Sequence, residues 1–132
     1  MKKSISIMLL GIGFFLIFVC LLFGYNDIPL EELKIKYGTS PSKFIFVDGM
    51  EVHYRDEGAI SDSIPIVLIH GTGSSLHTFN DWTTQLKVNH RVIRMDLPAY
   101  GLTGPFINRK YTIENYVNFI DQFLASLGIK KC

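Results

Sequence analysis

Apolar and polar positions are spread unevenly along these 132 residues. From Ser4 to Asn26 there are 23 consecutive residues without a charge. A helix over that run rises about 34 Å, enough to cross a hydrocarbon core. After it the period shortens. Lys43 to Val47 (KFIFV) predicts a strand and Asp48-Gly49 a two-residue turn. Met50 to Asp56 alternates Met50, Val52, Tyr54 against Glu51, His53, Arg55, the pattern of a half-buried antiparallel partner. Ile66 to Ile69 (IVLI) is continuously apolar, as in a strand covered on both faces. Leu76, Phe79, Trp82 and Leu86 predict a helix over 76–87, with Phe79 and Trp82 in the core. Arg91 to Met95 (RVIRM) predicts a further strand. Thr112 reads as the N-cap of a helix to about Leu127, with Gly128 as its stop. Ile113, Tyr116, Val117, Ile120, Leu124 and Leu127 form its expected buried stripe. The order β-β-β-α-β-α, an opening hairpin followed by strand–helix alternation, argues an α/β fold with a parallel component.

The apolar run divides the chain. Residues 1–26 are expected to be an uncleaved signal anchor, 27–42 a charged juxtamembrane linker with at most a turn or two of helix, and 43–132 the folded part. The run exceeds a signal-peptide core, and Cys20-Leu21-Leu22-Phe23 offers no small-x-small cleavage site. Val19 before Cys20 does not suit a lipoprotein signal. Lys2 and Lys3 predict a single-pass protein with the N-terminus cytoplasmic and the folded part extracytoplasmic, a bias that Lys34 and Lys36 weaken slightly. Cys20 lies within the apolar run and Cys132 at the other end, so no disulfide is expected between them.

Composition narrows the class. With 13 basic and 12 acidic residues, the net charge of +1 gives no footprint for nucleic acid, and no nucleic-acid partner is expected. A hydrophobic content of 48% excludes a disordered tail. The expected partner is the membrane, with no metal or cofactor. A small-molecule substrate is expected only where the full fold is present.

Chemistry is expected where strands end and helices begin. The first such place is His70-Gly71-Thr72-Gly73-Ser74-Ser75. A phosphate loop would need GxxxxGK[ST], and no lysine is present; a dinucleotide turn would need a third glycine where Leu76 stands. Two readings stay open. One is an oxyanion hole, in which backbone N–H groups meet a developing negative charge. The other is a glycine-rich strand-to-helix turn.

The stretches PIVLIHGTGSSLHTFNDWTTQL, RVIRMDLPAYGLTGP and YTIENYVNFIDQFLASLGI, with FIFVDGMEVHYRDEG before them, resemble the N-terminal half of α/β-hydrolase fold proteins. The likeness covers about Phe44 to Cys132. Together with the apolar run, it implies a transmembrane helix followed by the first half of the family's sheet. By that resemblance the backbone N–H of Thr72, or alternatively Gly73, would serve the oxyanion hole. His70 and Gly71 would shape the turn. Asp96 would cap and brace the loop that runs to Gly101, and Ala99 replaces the family's usual glycine there. His53, His77 and His90 read as ordinary strand, helix-start and loop residues.

The resemblance also implies a nucleophile on a G-x-S-x-G elbow, then an acid and a histidine. None of these motifs occurs in this sequence, and Ser74, Ser75 and Ser126 lack the elbow context. No catalytic side chain is therefore assigned. The sequence stops at Ile129-Lys130-Lys131-Cys132, where the next strand would begin. The expectation is the N-terminal portion of a membrane-anchored serine hydrolase acting on an ester-like or related bond, inactive by itself. The alternative is a non-catalytic anchored half-fold that works by binding a partner.

Overall fold

The structure, a computed structural model, describes residues 2–24 and 27–132. Helix α1 (Lys2–Phe23) contains the apolar stretch Ile5–Phe23, mean hydropathy 2.9, and none of that stretch is buried against the rest of the chain. Helix α2 (Leu30–Tyr37) follows Pro29. Glu31 and Glu32 lie in its first turn and Lys34 and Lys36 in its last, the charge order that the helix dipole favours. This short helix docks on the folded part. Lys34 Nζ donates to Glu51 at 2.6 Å, and the Tyr37 ring meets His77 edge-on at 5.8 Å.

Four strands follow: β1 (Lys43–Val47), β2 (Met50–Gly58), β3 (Ile66–Ile69) and β4 (Arg91–Met95). They form one sheet in the order β1-β2-β4-β3. Asp48 and Gly49 both adopt positive φ, 49° and 74°, and the twist of such a turn suits the hairpin register Val47↔Met50. β2 runs antiparallel to β4, and β3 runs parallel to β4 with Ile69 opposite Met95. The sheet is therefore mixed, and β3 has a single strand neighbour among the described residues.

A one-turn 3-10 helix (Leu76–Phe79) and the α-helix α3 (Asn80–Leu86) cross from β3 to β4. Helix α4 (Ile113–Ser126) covers the other face. Its start is capped by Thr112, whose hydroxyl accepts the Asn115 N–H. At its end the Gly128 N–H reaches Ala125 O and the Ile129 N–H reaches Leu124 O, with Gly128 at φ 72°. That pair of bonds is a Schellman motif, which needs a left-handed residue. The core lies between α4 and the sheet: Val47, Met50, Val52, Tyr54, Ile93 and Met95 below, Phe106, Phe119 and Phe123 above.

Three expectations change. The helix expected over 76–87 begins as a 3-10 turn, because the Asp96 carboxylate takes the Leu76 N–H and Ser75 caps His77. Trp82 is 64% exposed rather than core; α3 has only seven residues and buries Thr83. On α4 the buried row is Phe119 and Phe123, while Ile113 (82% exposed) and Val117 project away. The two phenylalanines are four apart, so both reach the aromatic cluster around Tyr54 and Phe106.

Candidate functional site

The parallel register brings the C-terminal ends of β3 and β4 side by side, with Ile69 opposite Met95. The residues that follow each strand therefore meet. His70 and Asp96, both buried, are the hinge of that meeting. The Leu97 N–H donates to His70 Nε2 at 3.0 Å, so Nε2 is the unprotonated nitrogen. Nδ1 then carries the hydrogen and donates to the Gly71 carbonyl at 2.9 Å. Both ring nitrogens of His70 are thus occupied in holding the turn after β3 against the loop after β4. Tyr100 packs edge-on against the ring at 5.5 Å.

Asp96 holds more. Its Oδ1 accepts the Leu76 N–H at 2.7 Å, and its Oδ2 accepts the Leu102 N–H at 2.8 Å and His53 Nδ1 at 2.7 Å. Burial alone would raise the Asp96 carboxyl; the bonds from His53, Leu76 and Leu102 outweigh it and hold the pKa below the ordinary carboxylate value. An ionised carboxylate only accepts, so His53 carries its hydrogen on Nδ1. Its other nitrogen, Nε2, lies buried without a partner. The His53 ring is sandwiched between Phe44, stacked at 5.1 Å, and His77 at 5.9 Å.

Gly101 completes the brace. It sits at φ 53°, and a side-chain carbon there would come within 2.0 Å of Asp96 Oδ2. Ala99 also lies in the left-handed region, at φ 69°, where a glycine would be unstrained.

Within this frame Gly71, Thr72 and Gly73 form an exposed turn. Gly73 has φ 71° and nothing within 4 Å of where a side chain would start. Neither the Thr72 nor the Gly73 N–H has a hydrogen-bond acceptor among the described residues. Ser75 Oγ and the Ser74–Thr78 hydroxyl pair close the turn's far side. The turn thus presents a run of unused N–H groups, Thr72 and Gly73 at its tip, at the end of a parallel strand.

The sequence reading brought together His70, Gly71, Thr72 and Gly73 in one turn, with Asp96 and Gly101 in the next. It missed the groups behind them. His53 and Asp96 are 43 residues apart and meet across β2 and β4. Arg55, next but one on β2, donates from Nη2 to His77 Nε2 at 3.0 Å. Burial first, and the Arg55 charge second, lower the His77 pKa. Arg94, also buried, ties Glu57 at 2.7 Å to Asn80 at 2.8 Å, fixing the start of α3. His90 lies in the turn before β4, exposed and apart from this cluster. Among the described residues no group of three or more His, Cys, Asp or Glu is placed to hold a metal ion.

Comparison with known proteins follows the same geometry. No family model matches the chain. An uncharacterized hydrolase of Saccharomyces cerevisiae is 32% identical over 84 residues, 64% of this chain and 29% of that protein. Among solved structures, the Cif epoxide hydrolase from Acinetobacter nosocomialis is similar with a TM-score of 0.62 at 28% identity, over 77% of this chain and 35% of that one. A bacterial membrane phospholipase A matches 98% of this chain and 42% of its own, TM-score 0.65, at 20% identity, a likeness of fold. The chain spans about a third of the length of the proteins it matches. Its strand order, the braced turn after β3 and these similarities agree: over part of its length the chain is related to the α/β-hydrolases and shares their fold.

Proposed function

We propose that this chain supplies the anchor, the sheet platform and the oxyanion turn of a membrane-anchored serine hydrolase acting on an ester-like or related bond. The observation that carries the reading is the exposed turn whose N–H groups, those of Thr72 and Gly73 included, are unused, held at the sheet's C-terminal end by His70 and Asp96. Two such donors, fixed before reaction, stabilise the anion of a tetrahedral intermediate without reorganising. Donors alone do not turn over substrate; acyl transfer also needs a nucleophile and its base. No G-x-S-x-G occurs in these 132 residues, so the chain by itself is inactive in this reading. The apolar stretch Ile5–Phe23 of α1, with Lys2 and Lys3 before it, supports a single span with a cytoplasmic N-terminus.

The test has two arms. The purified chain is assayed with p-nitrophenyl esters and with a fluorophosphonate probe; neither turnover nor labelling is expected. Turnover lost on changing Ser74 or Ser75 to Ala would overturn the reading. In the second arm residues 43–132 replace the matching third of the Acinetobacter epoxide hydrolase. Turnover by the folded chimera, sensitive to Thr72→Pro, is the expected result.

A further inference from the structure

We infer that the cavity between α2 and the loop after β4 holds the acyl chain of a bilayer lipid. The inference rests on the anchored reading of α1. The cavity measures about 360 Å³, within the range of small-ligand sites. Leu33 and Tyr37 of α2 form one wall and Leu102 the opposite one, with Ser75 and His77 at the polar end. The exposed lining is chiefly apolar, which suits an alkyl chain and not a sugar or phosphate. Neither Thr72 nor Gly73 lines the cavity: Ser75 caps the 3-10 helix that follows their turn, and Asp96, also in the lining, holds Leu76 and Leu102.

Position decides the occupant. α1 ends at Phe23 and α2 begins at Leu30. The residues between them reach at most about 25 Å when fully extended, so α2 stays next to any bilayer that α1 spans. The outward side of α2 and its approach carry exposed Ile28 and Ile35, the latter 78% exposed, with Lys36 beside them. Apolar groups beside a lysine suit the headgroup boundary. Lys34 and Tyr37 in turn fasten the helix to Glu51 and His77. The cavity is thus walled by the one element that is both docked on the folded part and tethered at the membrane surface. Lipid chains are the most abundant apolar ligand there.

The full chain is reconstituted in phosphatidylcholine vesicles doped with a phosphatidylcholine that bears a terminal diazirine on one acyl chain. After irradiation, adducts are mapped by mass spectrometry. We expect adducts on α1 and, separately, on Leu33, Tyr37 and Leu102. Leu102 is 3% exposed, so an adduct there requires entry into the cavity and decides the matter in the unaltered chain. Leu33→Trp, which fills the cavity, should lower the Leu102 adduct about tenfold and leave α1 labelling unchanged. Ile35→Trp, on the outer side, should change neither. Label confined to α1, or a Leu102 adduct indifferent to Leu33→Trp, overturns the inference and spares the anchor. Label on neither overturns the anchored reading and the inference with it. Equal labelling by a free diazirine fatty acid without vesicles overturns the bilayer as the source.

Discussion

The turn after β3 and the loop after β4 leave the same end of the sheet from adjacent strands, yet their backbones are used in opposite ways. In the loop after β4, the N–H groups of Ala99, Tyr100, Leu102 and Thr103 all donate within the loop or to Asp96. In the turn after β3, those of Thr72 and Gly73 donate to nothing among the described residues. The first loop is a frame and the second is what the frame holds open. An unused backbone donor at a surface turn would ordinarily be free to reorient. Here it is fixed indirectly, by a histidine before it and an aspartate that reaches the residue after it. The donors are held from the two ends of the turn, by His70 on one side and by Leu76, through Asp96, on the other.

That comparison can be broken most severely at Asp96. Asp96→Ala leaves the buried His53 Nδ1 and the Leu76 and Leu102 N–H groups without their acceptor. A loss of about 3–5 kcal/mol in stability is expected, measured by urea unfolding. Thr72→Pro deletes one donor and leaves the frame. In the chimera with a related hydrolase, kcat should fall by roughly 10²–10³ while the melting temperature stays near that of the parent. A matching fall in stability would mean that the turn is structural. Gly101→Ala drives a side chain into the Asp96 carboxylate at a positive φ and should cost about 1–3 kcal/mol in chemical denaturation. Ala99→Gly works the other way. It relieves a left-handed alanine, and a gain of about 0.5–1 kcal/mol is expected, net of the added freedom of the unfolded chain.

The smallest effect is a slope with pH. The folded state holds the His77 pKa below its ordinary 6.5, so the unfolded chain binds more protons between the two values. Stability should be full above pH 6.5, decline as pH falls towards the folded pKa, and then level. His77→Gln should flatten that decline. Asp96 acts lower: its contribution persists above the ordinary carboxylate value of 3.8 and is lost as pH falls below it. A decline just below pH 6.5 that survives in His77→Gln would point to another group.

Local pattern made much of this legible. Alternation found the β1–β2 hairpin, the Asp48-Gly49 pair its turn, and Thr112 and Gly128 the limits of α4. The Ala99 substitution pointed to a strained position before any dihedral was known. What escaped was pairing at a distance. Alternation placed His53 on a polar face, but that face is covered by the 3-10 turn and Phe44, and its partner Asp96 arrives from another strand. Periodicity likewise found apolar rows on α4 without saying which would meet a partner. Ile113 and Val117 fit the period as well as Phe119 and Phe123, and only the sheet below selected the aromatic pair. Trp82 misled for the same reason: a helical spacing gives a face, not a neighbour.

β3 has a consequence of another kind. It is four residues long, pairs through one side with β4, and successive residues of a strand turn their N–H and C=O groups to alternate sides. Half of its backbone groups therefore point outward as a short row that specifies spacing and direction but no side-chain sequence. Growth of the sheet at this edge can proceed without disturbing the turn after β3, because His70 anchors that turn towards β4, on the opposite side. The outer row and the bonds that hold the turn are mechanically separate, so the geometry of Thr72 and Gly73 does not depend on what pairs with that row.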